Sequence, residues 1–199
     1  MLISCKDIRK HVVKSPSGDI ALTIQLDEQT NSAYYDIVYN GEKVLNNSAL
    51  GMALKNNADL CSNLTIASVK TSSVNTTWTP VFGEKSIYPE NYNQSVIKFE
   101  GKEDDQFKFT LQVRAYNEGV AFRYESDMPN DTVVKEELTT FNVSNEASLW
   151  TASHAQGAIK KSKLADIKTE VERPVLVQSS DTTFLAIGEA NLVDFARRK

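Results

Sequence analysis

Nucleophilic hydrolysis by a Ser, His and carboxylate set needs a histidine base. This 199-residue chain has two histidines, His11 in a polar lead-in and His154 in a loop-like stretch after Trp150. Neither lies in a recognisable catalytic motif. A zinc site needs clustered Cys and His, and Cys5 and Cys61 stand far apart with no histidine at ligand spacing. No glycine-rich phosphate loop occurs. Asp and Glu number 26, but a glycosidase pair is defined by its separation in space, so residue types alone assign no catalytic residue. Glu189 is the one carboxylate with a suggestive setting. It follows the apolar run Phe184-Leu185-Ala186-Ile187, and at a strand end it can project toward a neighbouring domain or a hard cation such as calcium. The alternative is a solvated surface glutamate.

The elements that must position these residues are all strands. The clearest signal lies in residues 107–125, where Phe107, Phe109, Leu111 and Val113 alternate with Lys108, Thr110, Gln112 and Arg114, the pattern of a half-buried strand. Asn117-Glu118-Gly119 turns the chain, with Gly119 expected in the left-handed conformation, and Val120, Phe122 and Tyr124 resume the alternation. This hairpin is expected at mid-sheet, with Arg114 and Arg123 close together and paired to Glu118 or Glu125. Ile20 to Leu26 alternates in the same way, and Asn40-Gly41 is a type I′ turn signal between Ala33–Tyr39 and Lys43-Val44-Leu45. Further strands are expected at 48–54, 64–69, 95–100, 133–141, 148–152, 173–177 and 183–189. Trp78 to Glu84, broken by Pro80 and Gly83, reads as an aromatic loop packed across a sheet edge. About a dozen short antiparallel strands with almost no helix predict an all-β fold of two large sheets packed face to face. Residues 1–14 form a lead-in, and 15–199 are expected to make a single β-sandwich domain.

Composition excludes some functions. With 22 basic residues against 26 acidic ones the net charge is −4, and the runs Lys160-Lys161 and Arg197-Arg198-Lys199 are short, so no nucleic-acid partner is expected. No apolar stretch approaches the ~18 residues a membrane span requires. Leu2-Ile3-Ser4-Cys5 matches the residues that precede the lipidated cysteine of bacterial lipoproteins. That match leaves two readings of Cys5 open, a lipid anchor or coincidence.

Three strings, in order, resemble one family. They are Trp78, Pro80, Val81, Gly83 and Glu84; then Arg114-Ala115-Tyr116-Asn117 with Gly119-Val120-Ala121-Phe122-Arg123-Tyr124; then Ile187, Glu189, Ala190 and Leu192. Together they resemble the N-terminal domain of glycoside hydrolase family 97. The likeness runs from about Ser15 to Phe195, and the middle string is the most specific. The resemblance implies an antiparallel β-super-sandwich of the galactose-mutarotase-like type, set before a catalytic (β/α)8 barrel and a small C-terminal β-domain. It implies a calcium-dependent exo-acting α-glycosidase, of α-glucosidase or α-galactosidase type, in a periplasmic or outer-membrane-attached setting in a Gram-negative bacterium. Within that scheme Glu189 becomes a ligand of the active-site calcium, while the other metal carboxylates and the catalytic pair lie on the barrel. This chain is then expected to lend one carboxylate, to bind calcium only weakly alone, to meet the sugar indirectly and to be inactive by itself.

Two departures accompany the likeness. Residues 155–168 are lysine-rich and unlike the family pattern, and family members continue past Phe195 with more sandwich strands. The expectation is a domain lacking its last strands, whose unpaired sheet edge favours pairing with a second copy. Two other readings remain. One is a free-standing carbohydrate-binding sandwich using Trp78, Tyr88, Tyr92 or Trp150 as a stacking platform. The other is a mutarotase-like epimerase using His154 with Glu189, which rests on fold analogy alone.

Overall fold

A computed structural model describes residues 8–55, 60–103, 106–126 and 132–190. The Cys5 anchor motif and the Arg197-Arg198-Lys199 run lie outside the described residues. The fold is all-β and antiparallel, with strands throughout the described residues and one 3-10 turn among them, at Leu164–Asp166. The chain divides into two compact units, Met1–Asn142 and Val143–Lys199.

The first unit holds two four-stranded sheets and a two-stranded ribbon. One sheet is a meander of β1 (Lys10–Lys14), β2 (Ile20–Leu26), β3 (Ala33–Tyr39) and β4 (Glu42–Ala49). Ile20, Leu22, Ile24 and Leu26 are all buried along β2, so the period-2 pattern does what it predicts. Asn40 and Gly41 both have positive φ, 48° and 82°, as the type I′ turn between β3 and β4 requires. The second sheet runs in the order β6 (Leu64–Trp78), β7 (Tyr88–Gly101), β8 (Phe107–Tyr116) and β9 (Val120–Glu125).

Strands β1 and β2 lie against β7 and β8, closing a sandwich over Ile97, Phe99, Phe109, Leu111 and Val113, each 0% exposed. Phe99 and Phe109 are direct cross-strand partners, stacked with centroids 4.7 Å apart. Burying side chains of this size stabilises by ~1.5–3 kcal/mol each. The short strands β5 (Met52–Leu54) and β10 (Val134–Glu137) form the ribbon. The chain after β10 is tied down by Tyr35, whose hydroxyl donates to the Thr140 carbonyl at 2.7 Å, and by Tyr124, whose hydroxyl bonds Thr139 Oγ1 at 2.7 Å.

The second unit is a sheet in the order β12 (Lys160–Lys163), β11 (Ser148–Thr151), β13 (Val175–Gln178) and β14 (Phe184–Ile187). One face carries its own core, Ala147, Leu149 and Val177, with Leu164, Ile167 and Leu185 packed against it. The lysine-rich 155–168 stretch therefore supplies an edge strand and then the residues that cover that core.

Several expectations need correction. The 107–125 hairpin is not at mid-sheet, because β9 is the sheet's outer strand. Gly119 is not left-handed; the Tyr116 amide donating to the Gly119 carbonyl at 2.8 Å closes the turn instead. Residues 48–54 are not one strand, since Gly51, at φ 151°, breaks the run between β4 and β5. Residues 133–141 give only the four-residue β10. Residues 79–87 do not pack across a sheet edge. They join two strands far longer than the apolar pattern suggests, with Val81 99% and Phe82 89% exposed.

Candidate functional site

The register of the second unit explains where Glu189 lies. Strands β13 and β14 pair Val175 with Ile187, Leu176 with Ala186 and Gln178 with Phe184. Continuing that antiparallel ladder by two residues sets Arg173 across from Glu189, past Pro174 and Gly188. A Cβ on Gly188 would sit 3.7 Å from the Pro174 Cβ, an ordinary contact, so the two segments stay close beyond the last ladder pair. Arg173 Nη2 lies 2.7 Å from Glu189 Oε2, with the side chains 11% and 24% exposed. Arg173 Nη1 is buried and has no hydrogen-bond partner among the described residues, an arrangement that costs ~1–3 kcal/mol for a buried donor. Glu189 is thus a fixed, partly buried carboxylate, not the freely solvated strand-end residue of the alternative reading.

No group of three or more His, Cys, Asp or Glu is placed among the described residues to hold a metal ion. Calcium takes about six to eight oxygens, and one carboxylate facing a guanidinium supplies too few oxygens and too little uncompensated charge.

The histidines find structural work. His11 Nε2 lies 2.9 Å from Ser95 Oγ, Ser95 is buried, and burial pushes the His11 pKa below its ordinary value. His154 Nδ1 lies 3.0 Å from its neighbour Ser153 Oγ. Asp27 caps the turn before β3. Its carboxylate accepts the Thr30 amide at 2.8 Å, the Thr30 hydroxyl at 2.9 Å and the Gln29 amide at 3.0 Å, and these bonds hold its pKa below the usual carboxylate value.

Arg114 and Arg123 do not share a partner. Arg114 reaches Gln94 Oε1 at 2.9 Å and Glu90 at 3.7 Å while stacking 4.5 Å from the Tyr92 ring. Arg123 pairs with Glu125 at 2.6 Å at the surface.

The aromatics expected of a sugar platform are mostly engaged. Tyr92 is buried against Tyr116 and Arg114. Trp150 has Lys161 Nζ 4.6 Å over its ring and Phe184 at 5.9 Å. Only Trp78, 50% exposed, keeps substantial free surface, and it is stacked on Tyr88 with centroids 5.1 Å apart.

Sequence reasoning named Glu189 but missed Arg173. The signal was present in the summed positions of facing residues, and it becomes readable only when the length of the 179–183 turn fixes the register.

Comparison with known proteins agrees with this architecture. The chain is 28% identical to a glycoside hydrolase family 97 enzyme from Pseudoalteromonas sp. strain K8, with a TM-score of 0.85 over 94% of this chain and 29% of that one. A second structure of an enzyme of that family from the same strain, in complex with panose, gives 0.84. A β-arabinopyranosidase at 19% identity shares the fold, with a TM-score of 0.79 over 92% of this chain and 32% of that one. A retaining alpha-galactosidase from Bacteroides thetaiotaomicron is 27% identical over 122 residues, 61% of this chain and 17% of that protein. The chain thus spans less than a third of the length of these relatives. The profile described as Glycosyl-hydrolase 97 N-terminal matches residues 13–199, and the chain belongs to that family.

Proposed function

We propose that this chain acts as the accessory N-terminal domain of an α-glycoside hydrolase, of α-glucosidase or α-galactosidase type. It packs on a catalytic (β/α)8 barrel and lends Glu189 to a calcium ion shared with that barrel. The observation that carries the reading is the Arg173–Glu189 pair at 2.7 Å, within a chain of this family. The guanidinium restricts the carboxylate's rotamers before any metal arrives, which lowers the ordering cost of ligation. Calcium, when bound, supplies a hard positive charge that holds oxygen ligands in place. Arg173 keeps the carboxylate aimed. Hydrolysis belongs to the barrel. The sugar is reached indirectly, and the setting is periplasmic or attached to the outer membrane.

Calorimetry tests the metal role. Calcium titrated into the 199-residue chain should give no measurable heat below about millimolar, whereas a barrel-containing enzyme carrying this domain should bind it. Glu189→Gln should there weaken calcium affinity and turnover together. Wild-type calcium affinity and turnover in that variant would refute the assignment.

A further inference from the structure

The most exposed large apolar side chains among the described residues sit together. Val81 is 99% exposed and Phe82 89%, with Ile87 at 57% and Trp78 at 50% beside them in the chain. Single apolar residues scattered over a surface need no explanation, but a cluster marks a contact. This cluster caps an arm. The ladder between β7 and β8 ends at Tyr92 opposite Tyr116, whereas β6 and β7 stay paired out to Trp78 opposite Tyr88.

The arm is braced where it meets its tip. Trp78 and Tyr88 are cross-strand partners whose rings stack with centroids 5.1 Å apart, and Lys85 Nζ lies 5.8 Å from the Tyr88 ring. A Cβ on Gly83 would sit 3.6 Å from the Tyr88 hydroxyl and 4.0 Å from Pro80 Cγ. The loop therefore folds back on Pro80 and Tyr88 and leaves Val81 and Phe82 outermost. A bulky apolar anchor on a braced support has little ordering left to lose on docking.

Charge and size select the occupant. A bilayer surface favours basic flanks, but residues 78–90 carry Glu84 and Glu90 against Lys85 in a chain of net charge −4. A free partner, a second copy included, needs ~800 Å² of buried surface on each side. A fully buried aromatic supplies ~150–250 Å², so Phe82 and Val81 with the exposed halves of Trp78 and Ile87 fall short. A contact of that size holds a neighbour kept at high effective concentration, which a covalent link provides. The family 97 enzyme that this chain matches has such a neighbour, since the match spans 29% of that enzyme.

We propose that the 79–87 loop is a docking plug, which seats Val81 and Phe82 in an apolar recess of the catalytic domain of the same polypeptide. The inference rests on the accessory-domain reading above and is independent of the calcium ligand.

Hydroxyl-radical footprinting tests it, because side-chain oxidation follows exposure. In the 199-residue chain Phe82 should oxidise far faster than Phe99 and Phe109, both 0% exposed. In the barrel-containing enzyme that carries this domain, Phe82 should lose most of that reactivity and approach the two core phenylalanines. Protection of other residues of this chain but not of Phe82 overturns the plug and leaves the accessory-domain reading standing, and protection of none overturns both. A Phe82 already protected in the isolated chain overturns the plug as well. The Val81→Ser/Phe82→Ser variant gives a second readout, since it should lower the melting temperature of this domain within the enzyme more than it does in the isolated chain. Equal shifts in the two settings overturn the proposal. So does flotation of the isolated chain with phosphatidylglycerol vesicles, or a concentration-dependent dimer in sedimentation velocity, if the same variant abolishes it, because the tip then belongs to a membrane or to a second copy.

Discussion

Glu189 and Arg173 should respond unequally to removal, and the inequality follows from their burial. With side chains 11% and 24% exposed and 2.7 Å apart, the pair is largely desolvated on the arginine side. Glu189→Gln removes the countercharge from a guanidinium whose buried Nη1 already has no partner among the described residues. A hydrogen bond to a charged group contributes about 1.5–3 kcal/mol and a neutral one about 1. The glutamine oxygen recovers part of the loss, and an uncompensated buried charge adds to it, giving a net cost of ~2–3 kcal/mol. Arg173→Met removes the charge and the orphaned Nη1 together, fills similar volume with apolar atoms and leaves a carboxylate that water can reach, so its cost should be ~0–1.5 kcal/mol. In the Arg173→Met background, Glu189→Gln should then cost ~0–0.5 kcal/mol. Urea unfolding followed by Trp150 fluorescence in a Trp78→Phe background reads the unit that contains the pair. If Arg173→Met proves the costlier change, or the double variant shows no coupling, the pair does not hold the carboxylate as argued.

Three further outcomes are expected. Arg123, with its side chain 61% exposed beside Glu125, should be replaceable by Ala at a cost of ~0–0.5 kcal/mol, as for other surface ion pairs. A urea midpoint displaced by more than that would mean a buried role. Because burial lowers the His11 pKa in the folded state, the unfolded chain binds the extra proton first. His11 therefore contributes stability that is intact above the ordinary histidine value of 6.5 and is lost as pH falls below it toward the folded pKa. Melting curves of wild type and His11→Gln from neutral pH down to pH 5 should converge as the pH drops, and parallel curves would contradict the assignment. Finally, Gly51→Ala should unfold or severely weaken the first unit. A Cβ there would lie 2.4 Å from the Cys61 Cβ, at a φ of 151° that side chains rarely adopt, so a cost below ~1 kcal/mol would show that the 50–61 segment yields easily.

What the sequence disclosed depended on which faces are buried. Strands β2 and β8 were legible because one face of each is core and the other is not, so that Leu22, Ile24, Phe109, Leu111 and Val113 alternate with polar residues. The Asn40-Gly41 turn was legible because its backbone admits few residue types. The distal half of β6 was invisible for the opposite reason. Exposed through residues 75–78, it needs no alternation, and its Ser, Thr and Asn residues carry no strand pattern.

The site was half legible for a related reason. A carboxylate at the end of an apolar strand can be found from local pattern, because Phe184 to Ile187 announces the strand that presents Glu189. Its guanidinium partner belongs to a different strand, and which residue faces Glu189 depends on the register across the 179–183 turn, where a slip of one residue would turn Arg173 to the opposite face. That register is held in part by the Ser179 amide donating to the Thr183 carbonyl at 2.9 Å and the Thr183 amide donating to Ser180 Oγ at 3.2 Å. It is held also by Val177 and Leu185, which face each other across the ladder and both pack in the second unit's core. The pose of the candidate ligand is therefore set by apolar packing several residues away. A cavity at Val177 should disturb Glu189 through the register as well as through lost stability.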